Sequence, residues 1–151
     1  MSLSGAPVLR KSKSRWLRGP QNSLMPQAMI YPILIHPDPR LKKVAQDVPD
    51  LSDELRALAD DMLKTMYHAP GIGLAAPQIG IDQRVIVMDC VKEEGATPRP
   101  TAMFNPKIVE SSDEKNIHEE GCLSIPDVYA DVERPRDVTV EWLDRDGVLQ
   151  R

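Results

Sequence analysis

Two short stretches of the chain hold the residue types that do chemistry. In HEEGCLSIP, residues 118–126, a histidine, two glutamates and a cysteine fall within five positions. Imidazole, carboxylate and thiolate are the side chains that hold a transition metal. The other stretch, GIGLAAPQIG at residues 71–80, surrounds a single carboxamide, Gln78, with small apolar residues. Glycines there let a second backbone approach closely. An amide N–H aimed at a carbonyl oxygen is the donor type that stabilises an oxyanion.

Spacing sorts these possibilities. His118 and Cys122 stand four apart and would share a helix face, but Gly121, Ser124 and Pro126 oppose a helix. In an extended chain they point the same way yet lie ~13 Å apart at ~3.3 Å per residue. Metal ligands sit about 2.0–2.3 Å from their ion, so His118 is not expected to partner Cys122. Taken alone, Cys122 reads as a buried structural thiol, and Gln78 as a satisfied glutamine in a glycine-rich turn; the ligand and oxyanion-donor readings stay open beside them. The 71–80 stretch follows a helix pattern, lacks a third glycine at dinucleotide spacing, and has no Gly-Lys-Ser/Thr, so it is neither a nucleotide fingerprint nor a phosphate loop.

The elements that must position these stretches are legible around them. Leu55, Leu58, Ala59, Met62, Leu63, Met66 and Tyr67 form one apolar helical stripe. Ser52 is placed to cap its start, Asp53 and Glu54 suit the positive end of its dipole, and Pro70-Gly71 stops it. His68 is then a partner for the C-terminal dipole. Upstream, Pro32, Pro37, Pro39 and Pro49 forbid a long helix, so residues 31–50 are expected as an extended segment with turns, His36 among the loop residues. Downstream, QRVIVMD reads as a short buried strand over 84–89, with Cys90 after it as a core thiol. TAMFNPKIVES reads as a strand interrupted by Pro106, and DVTVEWLDRDGVLQR as a strand, an Asp-Gly turn and the start of a partner strand. One helix among mixed strands predicts an α+β domain.

Composition bounds the class. The 151 residues suit one domain with a real core; the net charge of -4 argues against a nucleic-acid groove, and no apolar run reaches membrane-spanning length. Cys90 and Cys122 form no C-x-x-C pair, which favours a reducing cytoplasm over a disulfide framework. Residues 1–29 carry five basic residues and no acid. They are expected to be a disordered leader, with an organelle presequence or a nucleic-acid arm as alternatives.

Read together, Gly71-Ile-Gly-Leu-Ala-Ala-Pro-Gln78 and Glu120-Gly-Cys-Leu-Ser124 resemble two signatures of the peptide deformylase family. The stretches ILIHPDPRLKKVA and RPRDVTVEWLDRDG are similar to it as well, so the resemblance covers about residues 30–151. It implies an α+β fold of short antiparallel sheets packed around a helix. It implies metal-dependent hydrolysis of the N-formyl group from the N-terminal methionine of nascent polypeptides, with N-formylmethionyl peptides and ribosome-associated chains as partners. No nucleic acid and no membrane are expected as partners. By this resemblance Cys122 is the metal-binding cysteine, holding Fe²⁺ (Zn²⁺ or Ni²⁺ substituting) together with two histidines. Gln78 and the backbone N–H of Leu123 would stabilise the oxyanion. Gly73, Glu120 and Gly121 would line the peptide cleft, and Ile72 would lie near the methionine pocket.

The family's third signature, H-E-x-x-H on a helix, is absent: none of His36, His68 and His118 has a second histidine four residues on. In the family it follows shortly after the segment matching DRDG, and this sequence ends at Arg151. The expectation is a truncated family member lacking the C-terminal metal-binding helix, retaining little metal and folding marginally. It should be inactive or nearly so; the alternatives are a non-catalytic peptide-binding relative and a decayed gene product.

Overall fold

A computed structural model describes residues 29–91 and 95–151. The expected leader, save Met29, lies outside the described residues. Pro39–Lys42 forms a 3₁₀ turn, and among the described residues there is one α-helix, α1 (Asp53–His68). Seven strands follow: β1 (Gly73–Ala75), β2 (Val85–Met88), β3 (Thr101–Ser111), β4 (Lys115–Cys122), β5 (Ile125–Pro135), β6 (Val138–Leu143) and β7 (Leu149–Gln150). They form two antiparallel sheets, a five-stranded one in the order β1-β2-β3-β6-β7 and a two-stranded ribbon of β4 and β5. The α+β expectation holds in this arrangement.

Helix α1 begins where the capping residue predicts. The Ser52 hydroxyl accepts the Leu55 N–H, and Asp53 and Glu54 occupy the first turn. His68 is its last residue. The buried stripe is Leu55, Ala59, Met62 and Met66, packed on Leu74, Val85, Val87 and Phe104 of the five-stranded sheet. Tyr67, expected on that stripe, is 47% exposed. Thr65 takes the buried place instead, its hydroxyl donating to the Asp61 carbonyl and accepting the Tyr31 N–H at 3.0 Å. A threonine so paired is buried at little cost.

The sheet explains two further departures from expectation. Pro106 does not interrupt β3, because a register shift between Phe104 and Lys107 absorbs it. Asn105 makes that bulge, at φ 53°, in the left-handed region that asparagine tolerates best among non-glycine residues. Its amide clasps Val48 from both sides, accepting the Val48 N–H at 2.7 Å and donating to the Val48 carbonyl at 2.8 Å. Cys90, expected in the core, is exposed: burial in β2 alternates and ends with Asp89, which leaves the next side chain facing out.

The Asp-Gly turn forms between β6 and β7 as expected, with Gly147 at φ 79°. The Asp144 carboxylate accepts the Asp146 and Val148 N–H groups, both at 2.9 Å, and those bonds hold it below the usual carboxylate range. Arg145 at the tip pairs with Asp60, and Arg56 donates to the Arg145 carbonyl, tying this turn to α1. No helix among the described residues is long and apolar enough to cross a membrane.

Candidate functional site

Both chemically suggestive stretches face one hollow between the two sheets, a cleft of about 740 Å³. The first stretch enters it as β1, paired with β2 in the register Gly73↔Met88, and then turns tightly through the 3₁₀ segment Ala76–Ile79. Gly80 at φ 80° closes that turn, a conformation glycine adopts without penalty. The turn folds Gln78 back on its own strand, so that Oε1 accepts the Ala75 N–H at 2.9 Å. The carboxamide is thereby oriented with its nitrogen outward. Nε2 lies 3.1 Å from the Ser124 Oγ and 3.8 Å from the Cys122 Sγ.

The second stretch arrives as the end of β4. As the residue spacing implied, it is extended, and His118 pairs across the ribbon with Val132 rather than sharing a helix face with Cys122. Cys122 is exposed, so the structural-thiol reading is corrected: the break in pairing between Gly121 and Cys122 turns the thiol out of the ribbon toward Gln78. Leu123 and Ser124 anchor the turn in the body of the domain, Leu123 against the core cluster and Ser124 buried at 4% exposure.

The N-terminal segment joins the two motifs. The Leu34 N–H donates to the Gln78 carbonyl at 2.7 Å, and two residues later the His36 N–H donates to the Ser124 carbonyl at 2.8 Å. One extended strap thus fixes the amide and the thiol-bearing turn relative to each other, and residues 31–36 belong to the site's framework. His36 itself sits in the turn expected of it.

Ile72, Gly73, Gln78, Gly121, Cys122 and Leu123 all line the cleft. Glu120 does not. Its carboxylate faces along the ribbon and takes a two-pronged pair from Arg134, at 2.6 and 2.7 Å, which holds it below the usual carboxylate range. Two glycines sit against side chains, Gly71 against the turn that follows β4 and Gly121 against its own partner strand. A Cβ on Gly71 would stand 2.6 Å from the Leu123 Cδ1, and one on Gly121 would stand 2.8 Å from the Tyr129 ring, whereas one on Gly73 would meet nothing closer than 3.8 Å. Close approach is therefore a requirement at residue 71, whose neighbour packs on the core, whereas at 121 the exposed Tyr129 ring can give way and at 73 there is room.

Sequence reasoning missed three contributors. Ser124 orients the Gln78 amide, and its only signal was its place in the Glu-Gly-Cys-Leu-Ser run. Strand β5, including Tyr129 and Val128 on the cleft rim, carried period-two alternation too weak to separate from a loop. Tyr67 and Asp89, behind the cleft wall, are joined by a 2.6 Å hydrogen bond whose partners lie 22 residues apart.

The donor set tests whether a metal fits. No group of three or more histidine, cysteine, aspartate or glutamate side chains among the described residues is placed to hold an ion. One thiol falls short of the three protein ligands of a catalytic zinc-type site. These residues do not by themselves hold a metal, although an exposed thiol beside an outward amide is a suitable corner for one.

The polypeptide deformylase family model matches residues 30–151. The peptide deformylase of Rhizobium meliloti (strain 1021) is 55% identical over 121 residues, which is 80% of this chain and 69% of that protein. That of Mesorhizobium japonicum is 56% identical, over 80% of this chain and 68% of its own length. Among solved structures, peptide deformylase from Ehrlichia chaffeensis superposes with a TM-score of 0.76 at 35% identity, covering 81% of this chain and 73% of that one. The Met-Ala-Ser-bound class I type b enzyme from Acinetobacter baumannii gives 0.74 at 35% identity, over 82% of each chain. With the fold, the paired motifs and these relatives in agreement, the chain belongs to the peptide deformylase family.

Proposed function

We propose that this chain presents the peptide cleft of a deformylase, whose reaction consumes water and splits an N-formylmethionyl peptide into formate and a free amino terminus. The observation that carries the reading is the convergence of Gln78 Nε2 on the Cys122 thiol, 3.8 Å apart, at a hollow walled by β1 and the Cys122–Ser124 turn. In this reading Gln78 Nε2 and the Leu123 N–H receive the formyl oxygen as negative charge develops on it. Ile72 meets the methionine side chain, while Gly73 and Gly121 leave room for the peptide backbone. Cys122 is one corner of the family's metal site. Glu120 acts at a distance, its pair with Arg134 stiffening the ribbon beside the cleft. The substrates are nascent chains of cytoplasmic ribosomes.

For the polypeptide of residues 1–151 itself, the ligand count favours peptide binding without turnover. Mixed with formyl-Met-Ala-Ser and Fe²⁺ or Ni²⁺, it is expected to release no formate above a metal-only blank. Met-Ala-Ser is expected to bind, moving the amide resonances of Gly73 and Leu123. Formate release would overturn the expected inactivity, and an unperturbed spectrum at millimolar tripeptide would overturn the cleft.

A further inference from the structure

The wall of the cleft has a back as well as a front. Pro70, Gly71 and Ile72 line the large hollow on one side and, on the other, a second hollow of about 300 Å³ whose lining includes Tyr67, Asp89 and Val91. A three-residue wall between two cavities has little packing of its own and needs something to hold it. Asp89 supplies that through its backbone, since its N–H donates to the Ile72 carbonyl at 2.9 Å and extends the β1–β2 ladder by one rung.

The Asp89 side chain is a hub. It is 7% exposed, and its carboxylate accepts the Tyr67 hydroxyl at 2.6 Å, the Val91 N–H at 3.1 Å and the Arg99 N–H at 3.2 Å. A buried carboxylate is retained when several donors converge on it, and the Tyr67 bond is the shortest of these. Tyr67 comes from the last turn of α1, directly before the wall begins. The wall is anchored to the helix by the Gly71 N–H on the Met66 carbonyl at 2.9 Å and to β2 by the Asp89 N–H on the Ile72 carbonyl, and the Tyr67–Asp89 side-chain bond ties these two anchors together.

We propose that Tyr67 and Asp89 are positioning residues for the peptide cleft, their side-chain bond setting where Ile72 stands against the bound peptide. The proposal rests on reading the front hollow as a peptide cleft. The hydrogen bond to Asp89, with some burial, pushes the Tyr67 hydroxyl up to about 12, so it remains a donor throughout the neutral range. The Tyr67 ring is half exposed, so Tyr67→Phe removes one hydroxyl without opening a cavity.

The test uses the 1–151 polypeptide and two readouts. Hydrogen exchange of the Asp89 amide reports directly on the Ile72 rung, and titration with Met-Ala-Ser reports on the front face. Tyr67→Phe should speed that exchange about 3- to 10-fold and weaken the tripeptide by a similar factor, the scale of one ordinary net hydrogen bond, since the half-exposed tyrosine is partly compensated by water. Amides elsewhere in β2 and β3 should be unchanged. Asp89→Asn, which turns an NH₂ group on at least one of the carboxylate's three donors, should lose at least as much as Tyr67→Phe on both readouts. As a control, Arg145→Ala breaks the Asp60 pair in the middle of α1, about two turns before Tyr67, and should leave both readouts at parent values. Parent-like Asp89 exchange in Tyr67→Phe would overturn the proposal, and so would equal losses in Arg145→Ala. If the parent itself fails to bind Met-Ala-Ser, the cleft reading falls. Positioning of the wall is then decided by Asp89 exchange alone, with unchanged exchange again overturning it.

Discussion

The half of the molecule built from α1 and β1–β3 and the ribbon of β4 and β5 present one cleft wall each, yet they are held together by different forces. In the first half Met62, Met66, Val87 and Phe104 are fully enclosed. In the ribbon almost every residue is exposed, including Ile117 at 65% and Tyr129 at 69%. What orders the ribbon is its ladder and a series of cross-strand charges: Lys115 with Glu133, Glu120 with Arg134, and Arg136 with Glu114. Exposed pairs of this kind add little each, and a two-stranded hairpin alone is marginal. The lesson is that the amide wall is a product of core packing, whereas the thiol wall depends on where the ribbon is pinned, at Leu123 and Ser124.

The sharpest break in that comparison comes from matched truncations. Met62→Ala should cost about 2–5 kcal/mol, since a fully enclosed methionine leaves a cavity behind. Ile117→Ala, a comparable loss of carbon on the ribbon, should change stability by less than about 0.5 kcal/mol. Urea denaturation followed by tryptophan fluorescence separates the two. Equal losses would mean that the ribbon is packed in solution as tightly as the helix–sheet half.

A smaller effect is expected where the halves meet. Gly71→Ala puts a Cβ 2.6 Å from the Leu123 Cδ1, with Cγ and Cδ2 at 3.2 and 3.3 Å, so the whole isobutyl group must turn out of its place. Leu123 packs on the core cluster, and a cost of about 1–3 kcal/mol is expected, with loss of Met-Ala-Ser binding as the Leu123 N–H moves. Gly121→Ala meets only the Tyr129 ring, which is free to swing into water, and should cost less than about 1 kcal/mol. Thermal midpoints and tripeptide titration on both variants check the order. A reversal would show that Tyr129 is braced in solution.

The same division explains what could be read from the sequence. The helix, its Ser52 cap and its Leu-Ala-Met stripe were legible because burial imposes a 3.6-residue period on composition. Gln78 and Cys122 were legible only as members of two motifs that resemble a family. Spacing excluded His118 as a partner, but it could not bring residues 44 apart to 3.8 Å. Strand β5 was not legible, because a ribbon with two wet faces needs no alternation of apolar and polar residues. Pro106 misled for a local reason: the rule against proline in a strand is suspended at a bulge, and the bulge depends on Asn105 reaching Val48, a contact between residues 57 apart. Cys90 misled because a short strand stops burying side chains one residue before its apolar run suggests.

The smallest expected effect concerns the strap that joins the halves, and it turns on pH. Just after His36 donates to Ser124, Asp38 accepts the Arg40 backbone N–H at 2.9 Å and pairs with its guanidinium at 2.6 Å. The side-chain bond to Arg40, then the backbone one, bring the Asp38 carboxyl down to about 2 from an ordinary 3.8. A carboxyl depressed on folding stabilises the fold above its unfolded value. That contribution disappears as pH falls from about 4 through about 2, where the folded group takes its proton. Because the turn lies in solvent, the loss should loosen the strap without unfolding α1 or the five-stranded sheet. Following the Asp38 carboxyl carbon by NMR from pH 6 to pH 1.5 should show its midpoint near 2, rising toward the ordinary range in Arg40→Ala. The His36 amide should broaden in step while the Val87 amide stays fixed. Joint movement of both amides would mean that the strap and the helix–sheet half open as one unit, and the contrast between the two walls would have to be redrawn at the ribbon alone.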